Sequence, residues 1–341
     1  MSSFALFRLP YAQECTLIEQ TSGEPVELMS CAELTGQQGF VLAPFAPSTE
    51  HPILVLRPDN VTTASVESLV GGAEWPEWAG VLKTSPSNYH LDFTHFHAHL
   101  LNDDFQKLVL SRSITIEKTG DETPLQLFQR ACACYPRMLI SLVCTPKSGW
   151  WLAATPEILL AGEGNEWQTI ALAGTMKYEE HLQWSEKNVQ EQRYVAGYIT
   201  RQLEQFTNNF TEGELCTARA GHLAHLRSDF RFSLPEGASV GELLQALHPT
   251  PAVCGLPKHE AFRFILQHEE HDRSYYSGFM GPLLLEGKTH LFVTLRCMQL
   301  FANGYRLYAG GGLLRDSIEE QEWQETETKL DTMRHIIYNN V

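Results

Sequence analysis

Basic residues are in short supply in this chain. Only 25 Lys and Arg stand against 41 Asp and Glu, a formal net charge of −16. That balance argues against a nucleic-acid partner, because polyphosphate binding needs a basic surface, and against docking on an anionic membrane. A small anionic substrate stays open only if a metal ion or a few placed cations reverse the field locally. No apolar run approaches the ~20 residues of a spanning helix, and residues 1–10 lack the basic and apolar regions of a signal peptide. None of the eight cysteines forms a Cys-x-x-Cys pair, so free, core-type thiols in a reducing compartment are expected and the protein is expected to be cytoplasmic. Internal repeats and low-complexity stretches are also missing. What is present is a globular balance, 43% apolar and 19% charged over 341 residues, enough for one large domain or two ordinary ones.

Residues 1–90 are rich in Pro, Gly and Ser, with short strand-like runs such as Phe40-Val41-Leu42 and Ile53-Leu54-Val55-Leu56. From residue 91 the patterns sharpen. A helix is predicted over 91–105, then a strand that opens at Lys107 and continues from Leu108 to Ile116. Met138–Cys144 and Trp150–Leu160 read as strands, and 181–206 and 317–338 as helices. Leu247-His248-Pro249-Thr250-Pro251 reads as a rigid loop, since each proline fixes its own φ and restricts its predecessor. Near the end, His290–Phe301 and Tyr305–Leu314 read as a hairpin around Asn303-Gly304, a type I′ turn signal. A two-residue loop there pairs Ala302 with Tyr305 and sets Arg296 opposite Gly311. An arginine facing bare backbone N–H groups is a plausible carboxylate site; a glycine bulge beside a surface arginine is the plainer reading.

The helix from 317 opens on a capping-box pattern, Ser317-Ile318-Glu319-Glu320. Along it Glu322, Glu325 and Lys329 share one face, which by itself is usually a solvated, salt-bridged face. The helix from 181 carries an apolar stripe of Tyr194, Val195, Tyr198, Ile199, Leu203 and Phe206, with Glu191 on the same stripe one turn earlier. A lone carboxylate there either lies past the core edge or ligates a metal, and two such glutamates suit Mg²⁺, which keeps several waters. Glu157 interrupts an apolar run. Burial raises such a carboxyl's pKa and suits it to general acid work; a strand-end glutamate reaching water is the ordinary alternative, as a merely exposed lysine is for Lys107. His95-x-His97-x-His99 spreads around a helix, and His268-Glu269-Glu270-His271 lacks zinc-helix spacing, so structural roles are favoured for both.

These segments together resemble the chorismate-utilising enzymes, which include isochorismate, salicylate, anthranilate and aminodeoxychorismate synthases. The resemblance rests on Lys107-Leu-Val-Leu-Ser-Arg112, Thr155-Pro-Glu157, Leu172-Ala-Gly174-Thr175, Ser185-Glu-Lys187 with Glu191, and His248-Pro-Thr-Pro-Ala252-Val253. It continues through Asp272-Arg273-x-x-Tyr276-x-Gly278, Arg296, Tyr308-Ala-Gly310 and Glu322-Trp-Gln-Glu325-Thr-x-x-x-Lys329. It covers residues 91–338, a catalytic core, with 1–90 a weakly matching strand-rich part of one continuous domain. His-Pro-Thr-Pro-Ala-Val and Lys107 look like the isochorismate synthase version, where amine-transferring members show Pro-x-Gly-Thr and glutamine. Gly311 in place of the usual alanine, Met176-Lys177 and Cys254 depart from the pattern.

The resemblance implies an α+β fold of two large antiparallel β-sheets packed as a sandwich with helices outside, and a Mg²⁺-dependent isomerase converting chorismate to isochorismate. By analogy Lys107 acts as general base on a water attacking ring C2, and Glu157 protonates the departing C4 hydroxyl. Glu191 and Glu325 hold Mg²⁺, with Glu322 as an indirect or water-mediated ligand and Gly174 and Lys329 assisting at the ring carboxylate. Arg296, Tyr308 and Gly310 take the enolpyruvyl carboxylate, and Thr175, His225, Ala252, Val253 and Tyr276 complete the substrate-binding set. The substrate is the only partner implied: no nucleic acid, membrane or glutaminase subunit is expected, and a monomer is. The rivals are a salicylate synthase, an ammonia-using relative and a non-catalytic binding subunit.

Overall fold

The computed structural model describes residues 3–69, 81–82, 88–179, 182–221 and 223–338. Alternating and fully apolar runs pair here into two antiparallel sheets, one nine-stranded and one ten-stranded among the described residues. The first sheet runs, edge to edge, Gly255–Leu256, Lys107–Glu117, Gly304–Leu313, Cys297–Phe301, Gly149–Thr155, Leu139–Thr145, Ser3–Arg8, Glu14–Gln20 and Asn60–Ser65. The second runs Phe210–Glu212, Leu223–Phe232, Glu166–Lys177, Ile158–Glu163, Lys288–Val293, Phe279–Leu283, Gly39–Ala43, Ile53–Leu56 and Val26–Leu28, with Cys216–Ala220 also pairing Leu223–Phe232. Residues 3–69 thus feed strands to both sheets: Ser3–Arg8 pairs with Leu139–Thr145, and Gly39–Ala43 with Phe279–Leu283.

The inner faces meet over a core that includes Phe7, Phe40, Leu42, Trp151, Tyr275, Phe292 and Tyr308. Six helices cover the outside among the described residues: α1 Tyr89–Leu101, α2 Pro124–Cys134, α3 Glu186–Leu203, α4 Val240–Leu247, α5 Lys258–His268 and α6 Glu319–Tyr338. Helices α2 and α6 bury apolar stripes on the first sheet, and α3 and α4 on the second. Helices α1 and α5 cover the Lys107–Glu117 edge. The fold is α+β, a two-sheet sandwich with helices outside. No described helix is long and apolar enough to cross a membrane.

Three local expectations need correcting. Trp150–Leu160 is two strands, Gly149–Thr155 in the first sheet and Ile158–Glu163 in the second, because Pro156 cannot continue a ladder. His290–Phe301 likewise divides into Lys288–Val293 and Cys297–Phe301, one in each sheet. The hairpin register also differs: Phe301, not Ala302, begins the pairing, opposite Gly304, and Cys297 faces Tyr308. Gly304 serves the sheet rather than the turn, since a Cβ there would lie 2.5 Å from the Ile116 carbonyl. Arg296 therefore leaves the ladder, with φ +33°, and does not lie opposite Gly311.

The helix limits shift by a few residues, and the capping box at 317 does not form. Ser317 Oγ instead accepts the Leu314 N–H at 3.0 Å and hydrogen-bonds Glu322. Helix α3 begins after Ser185, whose side chain accepts from the Asn188 N–H. The three histidines at 95, 97 and 99 fall on α1, as expected for a helical segment.

Candidate active site

The two strand breaks sit side by side. Gly149–Thr155 pairs with Cys297–Phe301 in one sheet, and Ile158–Glu163 with Lys288–Val293 in the other. The linkers Pro156-Glu157 and Thr294-Leu295-Arg296 therefore cross together between the sheets. Main-chain bonds lock the crossing: Val293 N–H donates to Glu157 O at 2.9 Å, Ala154 N–H to Arg296 O at 2.9 Å, and Thr155 Oγ1 to Val293 O at 2.6 Å. Topology alone thus places one carboxyl and one guanidinium, both buried, at the floor of a narrow cleft.

The walls come from several other elements. Strand Glu166–Lys177 carries a β-bulge between Ala173 and Thr175, and Gly174 is the extra residue, at φ +69°. Opposite it, His225 donates from Nδ1 to the Gly174 carbonyl at 3.0 Å, which leaves Nε2 as an acceptor for Arg296 Nη2 at 3.4 Å. The loop after α4 brings Ala252 and Val253, and Tyr276 stacks on Tyr308 with ring centres 5.5 Å apart. A Cβ at Gly310 would lie 2.8 Å from the Tyr276 hydroxyl, so that glycine is what lets the ring approach the strand. Lys329 Nζ donates to Gly310 O at 2.8 Å and pairs with Glu325 at 2.6 Å.

Burial sets the protonation states. It pushes the Glu157 carboxyl up to about 8, although Lys107, Arg296 and Lys329 pull the other way. It holds His225 down to about 3, with Arg296 and Lys329 adding to the effect, so the imidazole is neutral. Lys107 is fully buried and its Nζ lies 2.9 Å from Glu191 Oε1. In a depression beside the cleft, Lys187 pairs with Glu322. Burial, then the neighbouring Glu325 charge, raises Glu322; for Glu325 burial is outweighed by Lys329 and the carboxyl is lowered.

Residues 75–338 match the family model described as "Chorismate binding enzyme". The chain belongs to the chorismate-binding enzyme family. The vibriobactin-specific isochorismate synthase of Vibrio cholerae is 28% identical over 322 residues, 86% of this chain and 78% of that protein. The salicylate biosynthesis isochorismate synthase of Pseudomonas aeruginosa is 33% identical over 247 residues, 68% of this chain and 51% of that one, so the match spans about half its length. Among solved structures, MenF of Escherichia coli, the menaquinone-specific isochorismate synthase, superposes with a TM-score of 0.79 at 22% identity, covering 99% of this chain and 89% of that one. Anthranilate synthase component I of Streptococcus pneumoniae follows at 0.67 and 19%, covering 96% and 80%. Fold likeness at these identities reaches across different activities, so the site must discriminate between them.

In this chorismate-binding enzyme the cleft is lined by Glu157, Gly174, Thr175, Glu191, His225, Ala252, Val253, Tyr276, Arg296, Gly310 and Lys329. Four expected members stand elsewhere. Lys107 lies directly behind Glu191 and Gly312. Tyr308 is buried between Trp151 and Tyr276 with its hydroxyl turned to Gln299 Oε1 at 3.5 Å, so it backs the ring that lines the cleft rather than lining it. Glu322 and Glu325 line an adjoining depression, which shares Thr175 with the cleft.

Sequence reasoning gave no role to Lys187, the ion-pair partner of Glu322, or to Gly312. A Cβ at Gly312 would lie 2.2 Å from Glu191 Oε1 and 2.6 Å from Lys107 Cε. The glycine triplet was the available signal, read there as a carboxylate seat. His268 and His271 take structural roles: His268 packs on His95 at 4.6 Å, and His271 Nε2 lies 2.8 Å from Ser111 Oγ.

Proposed function

We propose that this enzyme converts chorismate to isochorismate, adding water at ring C2 with loss of the C4 hydroxyl. One observation carries the reading: a fully enclosed carboxyl, Glu157, keeps its proton to about pH 8 in a cleft whose other charges are cationic or paired. That is a general acid at neutral pH. Lys107, behind the cleft wall, would take the proton from the incoming water as the free amine, while Glu157 gives its own to the departing hydroxyl; a proton passing back from the resulting Lys107 ammonium to the Glu157 carboxylate restores both groups. Proton count is conserved across the turnover. Arg296 and Lys329 meet the substrate carboxylates, and neutral His225 with Ala252 and Val253 frames the ring. The relatives named as isochorismate synthases support the same reaction.

Magnesium belongs to this reading. Among the described residues no three His, Cys, Asp or Glu side chains converge as a ready-made metal cage. The donor chemistry nevertheless fits a hard cation that takes two carboxylates and keeps its waters. A Cβ on Gly311 would sit 3.6 Å from Glu322 Oε2 and 3.7 Å from Glu325 Oε1, and Glu191 flanks the adjacent Gly312, so all three carboxylates gather on one stretch of strand. Each is matched to a lysine, Lys187, Lys329 and Lys107. Glu191 and Glu325, with Glu322 alongside, would hold Mg²⁺. Bound there, the ion supplies counter-charge and orientation for a substrate carboxylate.

The deciding experiment is chromatography of the products formed from chorismate and Mg²⁺ without ammonia or a glutaminase. Isochorismate is the expected product. Salicylate with pyruvate would reassign the enzyme to the lyase branch of the family, and an aminated product under added ammonia would overturn water as nucleophile.

A further inference from the structure

Two cations near the cleft bind main-chain carbonyls of the segment between α4 and α5. Arg273, 4% exposed, donates from Nη1 to Val253 O at 2.7 Å and from Nη2 to Val109 O at 2.8 Å, so one guanidinium joins two residues that line the cleft from different elements. Its Nη2 also meets Glu269 Oε1 at 2.8 Å. That carboxylate accepts the Ser111 N–H at 2.8 Å, and Ser111 pairs across the sheet with Gly310. Lys258, at the start of α5, donates from Nζ to Ala246 O and His248 O, each at 2.8 Å, at the carboxyl end of α4.

Between these anchors runs Pro249-Thr250-Pro251-Ala252-Val253-Cys254. Its two prolines offer no N–H, so the segment is poor in donors of its own. It is laid on the strand bearing Lys107: Val109 N–H donates to Cys254 O at 2.7 Å, Gln106 N–H to Leu256 O at 2.9 Å, and Gly255–Leu256 pairs with Leu108 and Lys107. A cation with several N–H donors can satisfy carbonyls that neither helix nor sheet reaches, and hydrogen bonds to charged groups are among the stronger ones. A simple helix-capping role for Lys258 accounts for the α4 carbonyls, but not for a second cation on Val253.

We propose that Arg273 and Lys258 are positioning residues that set the ring-facing wall of the cleft, clamping the segment that carries Ala252 and Val253 against the strand of Lys107. The inference rests on the reading that this cleft takes chorismate. Neither side chain touches the ring in this arrangement; each acts through the carbonyls it holds.

The test compares full-length wild type with Lys258→Met, Lys258→Arg and Arg273→Lys. Chorismate affinity is read by tryptophan fluorescence, steady-state kinetics separate KM from kcat, and amide hydrogen exchange follows residues 248–256. Lys258→Met is expected to raise KM and Kd about tenfold, with kcat within about threefold and faster exchange in that segment. Lys258→Arg, which keeps charge and donors, restores most of the affinity. Arg273→Lys, which cannot span both carbonyls and Glu269, shifts KM in the same direction by more. Unchanged KM and unchanged exchange in Lys258→Met overturn the clamp, even if the melting temperature falls. If Arg273→Lys does not fold, the Lys258 pair decides. Wild type that fails to bind chorismate overturns the functional reading instead, and the exchange data then judge the clamp without it.

Discussion

Glu157 is 2% exposed, and the cost of ionising it there is what keeps its proton. Its folded pKa of about 8 lies above that of an unfolded glutamate, so the proton is taken up on folding. Stability from this group is complete below the unfolded value and is lost as pH rises through the folded one. Activity follows the same proton: kcat/KM is expected to fall as pH rises through about 8. Glu157→Gln should lower kcat by roughly 10²–10⁴-fold while chorismate still binds; normal turnover in that variant would refute the acid role.

Asp92 on α1 offers a stability test away from the chemistry. It is 5% exposed, one carboxylate oxygen is unpartnered, and burial together with Glu270 and Glu269 pushes it up to about 7. Its proton, too, is gained on folding, so this contribution fades as pH climbs from the ordinary carboxylate range to about 7. Asp92→Asn is expected to melt higher than wild type at pH 8, with the gain shrinking at pH 5. A gain independent of pH would contradict the assignment.

Among the elements, strand Gly304–Leu313 shows how neighbouring glycines differ. At Gly312 an added methyl meets Glu191 and Lys107 well inside contact distance, whereas at Gly311 its nearest neighbours are at ordinary van der Waals range. Gly312→Ala should therefore displace Lys107 and Glu191 and reduce kcat/KM on the order of 100-fold, while Gly311→Ala stays near wild type. Equal losses in the two variants would show that the strand, not the Lys107–Glu191 pair, is sensitive. The wrong hairpin register belongs to this scale as well. Asn303-Gly304 is a sound turn signal, but Gly304 is needed where two strands approach closely, and nothing local in the sequence reveals the neighbouring strand.

At the scale of the whole molecule, α3 and α6 bring Glu191 and Glu325 to neighbouring glycines of one strand, Gly312 and Gly311, from positions far apart in the chain. If Glu191 and Glu325 hold Mg²⁺, millimolar Mg²⁺ should raise the melting temperature of wild type through binding to the folded state. The shift should vanish in Glu325→Gln, measured without substrate by differential scanning fluorimetry. A full shift in that variant would remove Glu325 from the metal site.

Much of this molecule can be read along the chain. The strands that open at Lys107 and near Met138, the helical character of α1, α3 and α6, the helical placement of His95, His97 and His99, and the apolar stripe of α3 follow from local periodicity, which depends only on near neighbours. The identities of the cleft residues follow from ordered motifs, each short enough to survive in one linear segment. Tertiary structure alone decided where apolar runs break between sheets, because a crossing is fixed by the partner strands on either side and not by the run itself. For the same reason only the fold could show that Glu157 and Arg296 share one crossing, that Tyr308 supports the cleft from behind, and that Lys187 answers Glu322. Side chains far apart in sequence acquire their charge states and partners from burial, and burial is a property of the packed whole.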